Sequence, residues 1–170
     1  MNTIRFETFK MGPFEGFPVL HHEATFVRTL IDGFPLVEIV EDYERSHLLR
    51  KLTGNYEYRY VNDYYSDLRD KKYGSVQEIG LLMCAGCLCL ECSPMYCTMA
   101  VTARTVIWRD FYNPNLNGDL LEADVDYSEL GPFEFDKRAF YKEAAVLEEL
   151  AKDYKSHYGR LLWKRDPDLC

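Results

Sequence analysis

Five of the six cysteines lie within residues 84–97, on the spacing C-x2-C-x-C-x2-C-x4-C. Disulfides between such close neighbours would close only short loops and would cross-link little of the chain. The fold therefore has to be held by a hydrophobic core. A chain of 170 residues with 47% hydrophobic side chains can bury a core of that kind. We expect a single globular domain over residues 1–170.

The charge balance limits the classes of partner. The chain carries 28 acidic and 20 basic residues, a net charge of −8. An acidic field repels phosphate backbones and anionic membrane surfaces, so it argues against nucleic-acid and membrane binding and leaves a protein partner, above all a basic one. The sequence shows no signal peptide and no run near the roughly 20 apolar residues of a membrane helix. We therefore predict a soluble, cytoplasmic protein.

Hydrophobic periodicity predicts strands and two helices. Alternating or β-branched runs at residues 3–10, 23–31, 79–83, 95–102 and 105–111 indicate strands, the last two forming a hairpin. An apolar stripe after Pro35 predicts a helix over about residues 35–49, which makes Asp32-Gly33 a passage into a helix and not a hairpin turn. A second stripe, capped by Asp136, predicts a helix over residues 137–158.

Together these elements predict an α+β fold. We expect a mainly antiparallel sheet of about five strands, with the helices at about residues 35–49 and 137–158 packed on it. The tyrosine-rich segment 56–73 has two interpretations: a stacking platform for a ligand, or amphipathic rings that cover the sheet. Its charges cancel, which favours the second. Residues 119–136 carry seven carboxylates, but Glu129 and Phe135 break the calcium-loop pattern, so we predict a solvated acidic loop.

Three interpretations of the cysteine cluster stay open. Cys84, Cys87, Cys89 and Cys92 match the ligand count of a tetrahedral zinc site, although only Leu88 separates the two C-x2-C pairs. Two or three of these thiolates with a histidine, His21 or His22, would be easier to arrange around the metal. The pair Cys84 and Cys87 could form a redox dithiol, but no neighbouring cation is present to lower a thiol pKa. The third interpretation is structural: buried cysteines act as small hydrophobic residues.

Several motifs, in this order, resemble a family of uncharacterised bacterial proteins. That family carries a C-x-C-G-x-x-G-C-W-P loop, a V-x-W-x-x-F strand and a G-P-F-x-F-[DN] lead into its last helix. The matching residues here are Cys87-x-Cys89-x-x-Cys92-Ser93-Pro94, Val106-Ile107-Trp108-x-Asp110-Phe111 and Gly131-Pro132-Phe133-x-Phe135-Asp136. This loop is two residues shorter, lacks both family glycines and has Ser93 in place of the tryptophan. The resemblance implies a shared organisation and no particular activity.

We therefore predict a non-enzymatic binding or interaction protein of bacterial type. The cysteine loop would be structural or would bind a metal weakly, with zinc as the metal and Cys84, Cys87, Cys89 and Cys92 as candidate ligands. We assign no catalytic or cofactor-binding residue. The alternative function is a thiol-dependent redox protein or enzyme that uses the cysteines of residues 84–97.

Overall fold

The computed structural model describes residues 1–12, 24–47, 56–69, 72–85, 88, 90, 94–114 and 125–158. These residues form eight β-strands and three α-helices. In chain order the elements are β1 (Ile4–Met11), β2 (Ala24–Ile31), β3 (Phe34–Pro35), α1 (Leu36–His47), β4 (Tyr56–Tyr60), α2 (Val61–Leu68), β5 (Val76–Cys84), β6 (Met95–Val101), β7 (Thr105–Tyr112), β8 (Phe133–Asp136) and α3 (Lys137–Tyr158).

The predicted α+β class is confirmed, but the predicted number of elements is wrong. The five predicted strands correspond to β1, β2, β5, β6 and β7, and the two predicted helices to α1 and α3. Three short strands and helix α2 were missed. Strands β3 and β8 are two and four residues long, too short for an alternating pattern to be recognised. Strand β4 and helix α2 lie in the tyrosine-rich segment, where Tyr56, Tyr58 and Tyr60 do alternate with Glu57 and Arg59.

The strands form one sheet in the order β1-β2-β4-β5-β6-β7-β8, with β3 paired to β2, and every strand-to-strand pairing is antiparallel. Seven strands alternate in direction along this path, so its first and last strands run the same way. Consistent with this, Asn2 forms a parallel bridge with Phe135, and the Asn2 backbone N–H donates to Glu134 O at 2.7 Å. The two ends of the sheet therefore meet beside the start of α3.

The main core lies between the inner face of the sheet and helices α1, α2 and α3. At its centre the Trp108 ring packs edge-to-face on Phe135 and Phe140, with ring centroids 5.2 and 5.9 Å apart. Phe6 of β1 packs in the same way on Phe140 at 6.0 Å. Full burial of one such side chain stabilises a fold by about 1.5–3 kcal/mol. This aromatic cluster joins the first strand, the last two strands and the last helix.

The Asp32-Gly33 turn corrects the prediction that these two residues lead into a helix without forming a hairpin. Both residues have positive φ, 52° and 86°, and Ile31 pairs with Phe34 across the turn. This is the geometry of a two-residue hairpin, so the chain forms β3 before it enters α1. Asp32 also accepts a hydrogen bond from the Thr3 N–H at 2.6 Å and from Asn2 Nδ2 at 2.7 Å. These bonds lower the pKa of the Asp32 carboxyl and fix the start of β1 beside the turn.

The predicted helix at residues 35–49 is confirmed as α1 (Leu36–His47), with residues 48 and 49 outside the described part of the chain. Helix α3 has the predicted bounds, Lys137–Tyr158. Asp136 is its N-cap, because Asp136 Oδ1 accepts a hydrogen bond from the Ala139 N–H at 2.9 Å. None of the described helices is both long and apolar enough to cross a membrane.

Gly80 on β5 marks a site of close approach between layers. The buried Arg59 guanidinium donates to the Gly80 carbonyl and, at 3.0 Å, to Asp67 of α2. A Cβ atom at position 80 would lie 2.8 Å from Arg59 Nη1 and 2.9 Å from Leu90 Cδ2. Because the two hydrogen bonds hold the guanidinium in place, it has little freedom to move aside.

Gly80→Ala is therefore expected to destabilise the protein by about 1–3 kcal/mol, the usual cost of overpacking a well-packed site. The free energy of unfolding would be measured by urea denaturation followed by circular dichroism. Gly12→Ala is the matched control, because a Cβ atom at position 12 meets no atom of the described residues within 4 Å. Equal stabilities of the two variants would contradict the close approach at Gly80.

Candidate binding surface

The structure places only part of the predicted metal site. Cys84 is the last residue of β5, is buried, and lies opposite Tyr56 in the strand register. Cys87, Cys89 and Cys92 lie outside the described residues, as do His21 and His22, so the four-cysteine zinc site stays a prediction. Among the residues that the structure describes, no three His, Cys, Asp or Glu side chains are grouped as metal ligands.

The start of the cysteine loop turns back onto the sheet. The Leu88 N–H donates to Cys84 O at 2.8 Å, and Leu88 takes a positive φ of 55°. That conformation costs a non-glycine residue about 1–2 kcal/mol. Burial of the Leu88 side chain, which is 3% exposed, offsets the cost, since a fully buried leucine contributes about 1.5–3 kcal/mol. Leu88 packs with Ala24, Phe26 and Met83 in a second, smaller hydrophobic cluster.

The second cluster contains a row of aromatic rings across three strands. Phe9 of β1 lies opposite Phe26 of β2, which lies opposite Tyr60 of β4. The Phe9 and Phe26 rings stack at 5.7 Å, and the Phe26 and Tyr60 ring centroids are 4.8 Å apart. Tyr58 meets the Phe9 ring edge-to-face at 5.6 Å. Of these rings only Phe26 is fully buried; the others keep an exposed part.

Arg28 completes this arrangement. Its guanidinium carbon lies 5.3 Å from the centroid of the Phe9 ring and 5.6 Å from that of Tyr58, within cation–π range. Its buried Nε has no hydrogen-bond partner in the described structure. Nearby, burial raises the pKa of the Glu57 carboxyl, against the lowering effect of the Arg28 charge. We call Phe9, Phe26, Arg28, Tyr58 and Tyr60, with Leu88 and Leu90 beside them, the aromatic–arginine surface.

The aromatic–arginine surface unites the two segments that the sequence singled out. Leu88 and Leu90 come from the cysteine loop, and Tyr58 and Tyr60 from the tyrosine-rich segment. The remaining tyrosines of that segment behave differently: Tyr56 and Tyr64 are buried, as expected of rings that cover the sheet, whereas Tyr73 is 74% exposed. Sequence reasoning missed Phe9, Phe26 and Arg28, because their proximity to the tyrosines depends on strand order.

A buried polar network lies elsewhere in the fold. Glu44 of α1 is fully buried, and its Oε1 accepts hydrogen bonds from the hydroxyls of Tyr56 at 2.5 Å and Tyr127 at 2.6 Å. Asn113, also fully buried, donates to the Tyr56 hydroxyl at 2.8 Å. The network joins α1, β4, the residue after β7, and segment 125–130. The sequence did contain one signal: Glu44 falls on the buried stripe of α1, four residues after Val40.

The same network corrects part of the acidic-loop prediction. Val125, Tyr127 and Leu130 are buried, whereas Asp126, Ser128 and Glu129 between them are exposed. The Tyr43 hydroxyl donates to Asp126 O at 2.6 Å, and its ring stacks on Tyr127 at 5.9 Å. Residues 125–130 are therefore packed onto α1, while residues 119–124 lie outside the described part of the chain.

Two cavities of about 460 and 420 Å³ lie side by side between the start of β1 and helix α3, and both are lined by Thr3, Ile4 and Glu143. Their linings include no residue of the aromatic–arginine surface or of the Glu44 network. Comparisons of the chain with protein-family models, with curated proteins and with solved structures find no match. The resemblance to the bacterial family therefore stays a prediction, and function has to be argued from the structure itself.

The Glu44 network predicts a contrast between two substitutions. Glu44→Leu leaves two buried hydroxyls without their acceptor and is expected to cost about 2–4 kcal/mol of stability. Glu44→Gln keeps an acceptor oxygen at Oε1, so we expect a smaller loss. Chemical denaturation of the two variants beside the natural chain gives both values. If the leucine variant were as stable as the glutamine variant, the network would contribute nothing to folding.

The buried tyrosines predict a loss of stability at alkaline pH. Burial raises the pKa of Tyr56, Tyr64 and Tyr127 well above the ordinary value of 10.0. In the unfolded chain these hydroxyls ionise near pH 10, so stability is fully present below that pH and falls as the pH rises above it. We expect tyrosinate absorbance at 295 nm to rise in two steps, the second coinciding with loss of circular dichroism. A single step that is complete before unfolding would refute the prediction.

Proposed function

We propose that the protein is a non-enzymatic interaction protein that binds a protein partner through the aromatic–arginine surface. The observation that carries this proposal is the combination of partly exposed Phe9, Tyr58 and Tyr60 rings with the Arg28 guanidinium on one face of the sheet. Tyrosine, phenylalanine and arginine are enriched in protein interfaces, and residues of this kind dominate their binding energy. The composition fits a partner that inserts an apolar side chain and offers a hydrogen-bond acceptor to Arg28.

Charge supports a protein partner over a nucleic acid. Arg28 is the cation of this surface, and it lies opposite Glu7 in the strand register and near Glu57. A surface that stacks nucleic-acid bases combines its rings with a groove of excess positive charge. The net charge of −8 points in the same direction. We propose the cytoplasm as the location, because five cysteines within residues 84–97 are more typical of reduced thiols or metal ligands than of disulfides.

The described thiols favour a structural role for the cysteine loop over thiol chemistry. Cys97 of β6 is fully buried, and burial raises the pKa of its thiol well above the ordinary value. A nucleophilic cysteine needs the opposite, a lowered pKa and access to its substrate. Cys84 is buried as well. In our proposal the loop shapes one side of the aromatic–arginine surface, and a zinc ion on Cys84, Cys87, Cys89 and Cys92 would stiffen it.

Arg28→Met tests the proposal, because it removes the guanidinium and keeps a side chain of similar length over the rings. The tagged chain would be expressed in its source organism, and retained polypeptides would be compared between variants by quantitative mass spectrometry. We expect one polypeptide to be retained by the natural chain and reduced about tenfold or more by Arg28→Met, the loss typical of a hot-spot residue.

Arg104→Met is the matched control, because Arg104 is exposed in the β6–β7 turn, outside the aromatic–arginine surface. It should retain the polypeptide at the natural level. Two outcomes would overturn the proposal: equal retention by the natural chain and Arg28→Met, or no polypeptide retained above an untagged background. Circular dichroism of each variant establishes that the fold is kept.

A further inference from the structure

The outer face of β5, β6 and β7 carries two ordered rows of side chains. Val76, Ala100 and Ile107 lie opposite one another in the first row. The next row is Glu78, Thr98 and Arg109. The intervening residues, such as Met99 and Trp108, point to the opposite face and are fully buried in the main core. We call the two rows the open face.

The open face is accessible in the described part of the chain. Val76 is 62% exposed, and the Arg109 side chain, whose Nε lies 3.5 Å from Asp110 Oδ2 of the same chain, is 52% exposed. Ala100, Thr98 and Ile107 are partly exposed. Helices α2 and α3 pack on the other side of these strands. An uncovered row that contains valine and isoleucine is the kind of patch that marks an interaction site.

We infer that the open face binds a second copy of this chain, with a two-fold axis that runs along β6. Rotation about such an axis places β6 opposite β6 of the second copy. It also places β5 opposite β7 of the second copy, and β7 opposite β5. Val76 then faces Ile107 of the second copy, and Glu78 faces Arg109 of the second copy. The central residues Ala100 and Thr98 face themselves. They are small, which suits two sheets packed about 10 Å apart.

The charges of Glu78 and Arg109 favour this axis over the second two-fold axis that could lie in the plane between the two sheets. An axis perpendicular to the strands, placed between the rows, would set Glu78 against Val76 and Arg109 against Ile107. Both charges would then be buried on apolar side chains, which is costly. The axis along β6 instead makes two Glu–Arg pairs and two apolar pairs. Tyr112 supports the arrangement, because its hydroxyl donates to Glu78 Oε2 at 2.5 Å and holds the carboxylate over the sheet.

The size of the open face determines how strongly two copies are expected to associate. Three strands about 4.8 Å apart and about 24 Å long give each copy an outer face of only a few hundred Å², of which the two rows are a part. Stable interfaces bury about 800 Å² on each partner, so the association should be weak, with a Kd on the order of 100 µM. This surface is separate from the aromatic–arginine surface, so the inference does not depend on the proposed function.

Sedimentation velocity from about 5 to about 500 µM under reducing conditions tests the inference, since this range brackets the expected Kd. The natural chain should shift from monomer towards dimer. Arg109→Glu and Glu78→Arg each set like charges against each other twice, so each alone should weaken the association about tenfold or more. Lys142→Glu, an exposed change on α3, is the control and should dimerise like the natural chain.

Mixing the two variants gives the decisive result. Positions 78 and 109 are both acidic in the Arg109→Glu variant and both basic in the Glu78→Arg variant. In a mixed pair each acidic side chain therefore faces a basic one, and both ion pairs are restored. We expect the equimolar mixture to dimerise like the natural chain while each variant alone associates about tenfold more weakly, which also demonstrates that both are folded. The inference is overturned if the natural chain is monomeric at the highest concentration, or if the mixture associates no more than its separate components.

Discussion

Strand β5 is buried on both of its faces, so other parts of the chain have to pack on each side of it. Six successive residues, from Ile79 to Cys84, are buried. Helices and the sheet interior cover one side, where Leu81 and Leu82 join the main core. On the other side Met83 is covered by Leu88 of the cysteine loop. The loop therefore folds back over the sheet, and in doing so it borders the aromatic–arginine surface.

Sequence reasoning succeeded where local pattern and local physics agree. Helix α3 was placed correctly because its apolar stripe, its Asp136 N-cap and its length all point to the same segment. Strands β6 and β7 were found because two runs that contain β-branched and aromatic residues flank a short turn. In such segments the neighbours along the chain determine the structure, so one sequence is sufficient.

The candidate surface could not be predicted in the same way. Arg28 and Phe9 are ordinary strand residues in the sequence, and they meet Tyr58 only because β2 is flanked by β1 and β4. Glu44 gave a signal, an acidic residue on a buried helical stripe, but nothing local indicates that its partners are Tyr56 and Tyr127. Cysteine spacing drew attention to the right loop. It gave no information about what the leucines between the cysteines would cover.

The bridge between Asn2 and Phe135 has a consequence for synthesis of the chain. The ends of the sheet can meet only after residue 135 has been synthesised, which at about 5–20 residues per second takes roughly 7–27 s after residue 2. Throughout that interval strand β1 exists without a complete β8 and without α3. Contacts between residues so far apart in sequence also slow folding of the completed chain. The nascent protein therefore passes through a period in which its first hairpin is exposed to chaperones.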